Sequence, residues 1–345
     1  ATMGLKQIAK VTKLSIQEEE ATTKMASELL KKSFWYALLV FILISLGWGL
    51  TYLTDRVDYK WYWNRVPDYF VFVGDIDQYA AYNGEVTSIE RIEDDRTLIT
   101  LHYDNEKVEQ IEVLTKTLLV KSGDRVTDNT KLGHIRVRQM GILIEGLILT
   151  LKLSIYGTFF GMIIGLFAGL GRITKNPTIN GLATIYVELI RGTPLLVQLF
   201  IFYYFLGTVL GFGRISAAVM ALAVFAGAYV AEIVRAGIQS IHSGQMEAAR
   251  SLGMNYFQAM GHIILPQAFK RIMPPLAGQF ISLIKDSSLV SVIAITDLTK
   301  AGREVITSTF ATFEIWFTVA GLYLVLTFSL SMLVRYIERR FAVSD

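Results

Sequence analysis

Polar and apolar positions along this chain fall into long blocks. Phe34 to Thr54 carries no charge and is long enough to span a bilayer. Five more apolar segments follow residue 140. The first runs from about Ile142 to Gly171 and is charge-free from Leu153, and the second covers about Ile179 to Gly213 with Glu188 and Arg191 in its first half. The third runs from Ile215 to about Arg235. The fourth begins after the Pro274-Pro275 pair and reaches about Ile295, broken by Lys285-Asp286, and the fifth runs from Ile315 to Val334 without a charge. Each uninterrupted stretch is near or above spanning length, so the pattern predicts a mainly helical membrane protein.

Between the first block and the second the pattern changes. Tyr59 to Phe72 is rich in aromatics, including Trp61, Tyr62 and Trp63, which beside a span predict a position at the lipid headgroups. Val86 to Ile92, Thr97 to Tyr103 and Val108 to Leu114 are strand-like, separated by Glu-Asp-Asp and Asp-Asn-Glu turns, and short strands are expected around Gly123 and Gly133. The predicted organisation is a polar segment 1–33, an additional span 34–54, a small all-β domain 55–138, and a helical core 139–345. The stretch Val120 to Ile135 resembles the sheet of biotinyl/lipoyl carriers and of lysostaphin-type zinc endopeptidases. His102 and His134 lack the further His and Asp spacing of a zinc site, and Lys121 is only near a carrier turn.

Composition narrows the picture. Hydrophobic residues make up 52% and charged residues 18%, beyond an ordinary soluble protein. A net charge of +3 gives no reason to expect a nucleic-acid partner, and no cysteine is present for disulfides or thiol chemistry. The first thirty-three residues carry six Lys against four Glu, and no small-residue cleavage site follows an early apolar core, so a retained helix is expected at Phe34. Ser15 and Glu18 have capping-box spacing, and Ala21, Met25 and Leu29 share a face, which predicts a short helix on the membrane surface or in solvent. Placing the loop after the third core segment inside groups Arg235, Arg250, Lys270 and Arg271 there, together with Arg172, Lys175, Arg335, Arg339 and Arg340. Both termini are then cytoplasmic and residues 55–138 lie outside.

That inner loop, within residues 240–266, is the most specific stretch. EAARSLGMNYFQAMGHIILP, Glu247 to Pro266, reads as helix, break, helix. Gly253 suits a left-handed helix end, Asn255 can cap a second helix with Gln258 in capping-box relation, and Pro266 is expected to stop it. Glu247, Ala248, Ala249, Gly253, Ile263, Leu265 and Pro266 resemble the EAA coupling loop of binding-protein-dependent ABC importers. The resemblance extends to ELIRGTPLLVQLFIFYY (from Glu188), YVAEIVRAGIQSIHSGQMEAARSLGM (from Tyr229), KDSSLVSVIAITDL (from Lys285) and GLYLVLTFSLSMLVRYIERR (from Gly321), which look like the polar amino-acid permease family.

The resemblance implies a five-helix type I permease core in a bacterial inner membrane, with the extra helix and outer β domain as additions. It implies a second permease copy, identical or not, a cytoplasmic ATPase dimer holding ATP and Mg, and an extracytoplasmic binding protein that delivers an amino acid. The chain itself has no GxxxxGK[ST] phosphate loop, so it is expected to be no enzyme and to bind no cofactor. Glu247 and Arg250 would orient or pair at the ATPase, while Phe257, Met260 and Ile264 share a face that suits a partner groove or the permease itself.

Charged and polar residues inside spans form the other candidates. Glu188 and Arg191, then Glu232 and Arg235, stand one turn apart and suit ion pairs, and Arg191-Gly192-Thr193-Pro194 suits a hinge. Lys285, Asp286, Ser287 and Ser288, with Gln198, offer both charges an amino-acid zwitterion needs, or else a polar bend in the fourth segment. Gly157, Gly161, Gly165 and Gly169 recur every fourth residue and predict close helix packing, within the bundle or between copies. A membrane-anchored cell-wall enzyme or scaffold, or an ATP-independent channel, would leave the coupling loop idle.

Overall fold

The computed structural model describes residues 33–92 and 95–342. The helix expected between Ser15 and Leu29 lies outside the described residues. By contacts the chain divides after Trp61. The described part of the first unit holds helix α1, Ser33–Asp55, apolar enough to cross a membrane. The second unit holds everything from Tyr62 onward, strands and helical core together.

A short 3-10 helix, Trp63–Tyr69, leads into six strands: β1 Val71–Tyr79, β2 Gly84–Ile92, β3 Arg96–Tyr103, β4 Val108–Leu114, β5 Arg125–Val126 and β6 Lys131–Met140. The strands β4-β3-β2-β5 form one antiparallel sheet, and β1 pairs with β6 as a separate ribbon from Val71↔Met140 to Tyr79↔Lys131. The β1 strand overlaps the end of the aromatic run, which sequence reading assigned to the headgroup level; no clear alternation marks it, and none of its residues is buried. Alternation on β3 buries Ile99, Leu101 and Tyr103 in a core with Val86, Ile111, Val113, Val126 and Leu132. Inside it the Tyr103 hydroxyl donates to Glu109 (2.6 Å) and accepts from the Ala81 N–H (3.2 Å). Burial and the Glu109 carboxylate push its pKa up to about 12.

The core is helical: α2 Ile142–Ile173, α3 Pro177–Arg191, α4 Leu195–Phe202 running into a π turn to Val209, α5 Arg214–Gln239, α6 Ser243–Ser251, α7 Tyr256–Ala259, a π turn Met260–Ile264, α8 Leu265–Asp286, a 3-10 turn Ser287–Ile293, α9 Leu298–Thr309 and α10 Thr312–Ala342. With α1, five helical runs among the described residues are long and apolar enough to cross a membrane, and α3 with α4 makes a sixth crossing if that pair, bent by 107°, is one span.

Two expectations need correction. Pro266 does not stop the second loop helix, and the fourth segment does not begin after Pro275. Tyr256–Ile293 is one continuous helical run. The reason is positional. Pro266 sits in the first turn of α8, where its missing N–H matters least, and the π turn before it widens the backbone. Pro274 and Pro275 lie inside α8, so the helix runs through the pair. Helix α9 was not anticipated, because its polar outer face hides it from a span search.

The glycine repeat is the packing face of α2 on α5. A Cβ at Gly157 would lie 3.0 Å from Leu222 Cβ, at Gly161 2.8 Å from Ala226 Cβ, at Gly165 2.4 Å from Val230 Cβ, and at Gly169 2.8 Å from Val234 Cβ. Both helices advance four residues per step, so two backbones run in close contact over most of the bundle. Helix α9 packs against the start of α2 and against α10. Its cap Asp297 is fully buried, accepts from the N–H groups of Thr299 and Lys300 (each 3.0 Å), and burial raises its pKa. The Leu298 N–H reaches Thr150 Oγ1 of α2 at 3.1 Å.

Gly165→Leu should lower the thermal unfolding midpoint of the detergent-solubilised protein, equivalent to about 1–3 kcal/mol of overpacking. Gly181→Ala, in α3 where a Cβ meets nothing within 4 Å, should not lower it and should raise it slightly through helix propensity.

Candidate functional site

The elbow between α6 and α7 is built by two caps. His242 Nδ1 accepts from the Gly244 N–H (3.1 Å) to start α6. At its end Gly253 N–H donates to Arg250 O (3.0 Å) and Met254 N–H to Ala249 O (3.2 Å), a Schellman closure. Gly253 has φ +84, where a Cβ would be strained. Asn255 and Gln258 then cap each other reciprocally at 2.9 and 3.0 Å.

These turns leave Glu247, Ala248 and Arg250 exposed and Ala249 buried. Leu252 and Phe257 project furthest, 82% and 84% exposed. The face Phe257–Met260–Ile264 does not act as one. Ile264 is buried among Val230, Val234, Ile238, Ala268 and Ile272, and Met260 and Ile263 pack against them. The π turn rotates these side chains inward, away from the face an unbroken helix would give. Leu265 and Pro266 remain exposed on the first turn of α8. Leu252, just before the glycine, escaped a reading by helical faces because it belongs to a turn.

At the C-terminal ends of α2, α3 and α5 lies an ion-pair knot centred on Glu232 of α5. Arg172 of α2 and Arg235 of α5 both bond to it, and Arg191 of α3 stands at 3.5 Å. Glu188 pairs with Arg172 at 3.6 Å, not with Arg191 one turn away. Arg191 instead lies over the Tyr229 ring, 5.4 Å from its centre. The i,i+3 spacing of Glu188 and Arg191 lost to tertiary partners, because α3 packs against both α2 and α5. Tyr186 donates to Val224 O (2.7 Å) and Asn180 to Arg172 O (2.6 Å), fixing the rest of α3.

Beyond Arg191 the bend runs through Gly192 and Pro194, and Gln198 staples it. Its amide nitrogen donates to Ile190 O (2.7 Å), Thr193 Oγ1 (2.8 Å) and Thr193 O (3.2 Å). Gln198 is only 3% exposed. Ser287 is fully buried too: its hydroxyl donates to Ile284 O (2.8 Å) and accepts from Ser154 of α2 (3.3 Å). Of the zwitterion-matching cluster, Lys285 is exposed and Asp286 and Ser288 are half-buried, so these three are reachable, while Gln198 and Ser287 hold helices.

Long apolar helices with a stapled, bent span and a projecting capped elbow define a multi-pass membrane permease, a pathway worked from outside itself. Residues 161–343 match the family described as binding-protein-dependent transport system inner membrane component, and the chain belongs to that family. It is the permease subunit of an ABC importer, and ATP hydrolysis belongs to a separate subunit. It is 41% identical over 205 residues to the glutamine transport system permease protein GlnP of Escherichia coli (strain K12), 59% of this chain and 94% of that one. It is 44% identical over 197 residues to the probable glutamine ABC transporter permease protein GlnM of Bacillus subtilis (strain 168), 57% and 91% respectively. Among solved structures it is similar to an amino acid ABC transporter with histidines, at TM-score 0.55 and 44% identity over 58% of this chain and 94% of that one. The fold is also shared with the inward-facing MetNI methionine ABC transporter, at TM-score 0.53 and 24% identity, over 59% of this chain and 97% of that one.

Glu232→Gln should take the shared carboxylate from Arg191 and Arg235, leave Arg172 with Glu188, and lower stability by about 2 kcal/mol. Glu188→Gln, on a carboxylate 66% exposed, should cost no more than about 0.5 kcal/mol, both read from thermal unfolding in detergent.

Proposed function

We propose that this chain forms half of the translocation pathway of an importer for a polar amino acid, glutamine first among the candidates. The observation that carries this is the elbow: a doubly capped turn that projects two apolar side chains, Leu252 and Phe257, beside the exposed Glu247 and Arg250. A rigid elbow with apolar knobs suits a groove on a moving partner. The partner is a cytoplasmic ATPase dimer that holds ATP and Mg. A second permease copy completes the pathway, and an extracytoplasmic binding protein supplies the substrate. The glutamine names of GlnP and GlnM support the substrate class. Lys285, Asp286 and Ser288 are the reachable candidates for the substrate path. The Lys and Arg distribution favours cytoplasmic termini and an extracytoplasmic strand domain in a bacterial inner membrane.

Leu252→Ala with Phe257→Ala should reduce ATPase copurification about tenfold or more while membrane insertion persists. Gly253→Val and Glu247→Lys should lower binding-protein-stimulated ATP hydrolysis. Unchanged hydrolysis in all of these variants would remove the coupling role.

The strand domain stands beside the pathway entrance in this orientation, and we assign it to contact with the binding protein. Because Tyr79 and Lys131 are register partners, Asn-Gly can replace Ala80–Thr130 and leave β1 and β6 as a hairpin. The shortened permease should assemble and hydrolyse ATP but need more binding protein for half-maximal uptake. An unchanged dependence on binding protein would refute this contact.

A further inference from the structure

At the inner ends of α5 and α8 an open groove of about 400 Å³ remains. Its floor includes Ala236, Gly237 and Pro275, and its rim holds Glu232, Ser240 and Arg271. We propose that this groove binds an anionic phospholipid, with the acyl chain on the floor and the phosphate on Arg271. The proposal rests on the orientation given above, which puts the groove in the cytoplasmic leaflet.

Charge and shape both point to this occupant. Glu232 already holds Arg172, Arg191 and Arg235, so its charge is committed. Arg271 adds a further cation at the groove. Four arginines therefore stand against Glu232 and Glu188. Among the described residues Arg271 donates through Nη1, to Ser240 O (2.5 Å) and Ser240 Oγ (3.0 Å). That contact fixes the guanidinium at the end of α5 and leaves its exposed outer edge, Nη2 and Nε, for an acceptor. A phosphate presents oxygens in the spacing that edge requires. The groove lies along the last turns of α5 and the early turns of α8, both parts of runs long enough to span, so its apolar floor faces acyl chains and its cationic rim the headgroups. A zwitterionic lipid would bring its own ammonium to this excess of positive charge, and free phosphate would leave the floor uncovered.

The full chain in phosphatidylcholine nanodiscs, carrying trace nitroxide-labelled phosphatidylglycerol or phosphatidylcholine, tests this by the motionally restricted share of the label. Restriction of phosphatidylglycerol should exceed that of phosphatidylcholine about fivefold. Arg271→Gln should abolish the preference and Arg271→Lys should keep it, which separates charge from the cap on α5. Ala236→Trp should fill the floor and release the labelled lipid. Equal restriction of both lipids, or a preference that survives Arg271→Gln and Ala236→Trp, overturns the proposal. Displacement of the label by inorganic phosphate would reduce the site to an anion site and overturn it as well. Because the chain has no cysteine, Ala236→Cys can report a second copy: a disulfide-linked dimer would put that copy in the groove in place of lipid. Lys175→Cys, labelled with an impermeant maleimide from either side, tests the orientation separately. Labelling from outside would overturn the cytoplasmic placement even where the lipid preference holds.

Discussion

The rest of this structure depends on how closely α2 approaches α5. Lipid tails are as apolar as leucine, so helices in a bilayer gain little from hiding apolar surface and must gain from contact. Gly157, Gly161, Gly165 and Gly169 remove every side chain from one stripe of α2, and Leu222, Ala226, Val230 and Val234 fill the space. This contact makes α2 and α5 a single spine. The other helices are arranged on it: α3 and α4 against α5, α8 against α5, and α9 against the N-terminal end of α2.

A spine is rigid, but a pathway has to change shape. The least regular part of the bundle is the break between α3 and α4, bent by 107° and held by polar bonds, not by packing alone. Glu232 holds α3 from one end of the break and Gln198 ties the two arms across it. Ion pairs and hydrogen bonds of this kind have discrete partners, so an arrangement built on them switches between states and does not deform gradually. The elbow lies on the same construction. Its inward side chains, Met260 and Ile264, pack against Val230, Val234 and Ile238 of α5, so the elbow is seated on the spine.

Much of this was legible in the chain. Apolar blocks located the spans because a bilayer demands length and lack of charge, and the period of four in α2 named its packing face. Gly253 and the Asn255–Gln258 box were readable because caps act within a few residues. What was not legible depends on distant partners. Arg191 chose Glu232 over Glu188 only because the fold brings α5 alongside, and Gln198 and Ser287 look like substrate ligands until their buried bonds are seen. The π turn at Met260–Ile264 also has no clear local signature, and it alone turns Ile264 inward. The ribbon strand β1 escaped because its residues are exposed on both faces, without the alternation a half-buried strand shows.

The strand domain shows how an addition can be made to such a core without disturbing it. The chain enters the ribbon from a 3-10 helix whose Val66, with Tyr69 and Phe70 beside it, packs against the cluster of Leu143, Leu298 and Ile315. The buried Glu314 of α10 accepts from the Tyr62 N–H. The return from β6 passes through Gly141, where the Phe70 carbonyl accepts the backbone N–H at 2.7 Å and a Cβ would collide with Tyr69 O at 2.2 Å. Both chain crossings are thus seated on α2, α9 and α10. A domain joined by a flexible linker would pack independently of the core, whereas this one enters and leaves through contacts with the starts of two helices long enough to span a membrane.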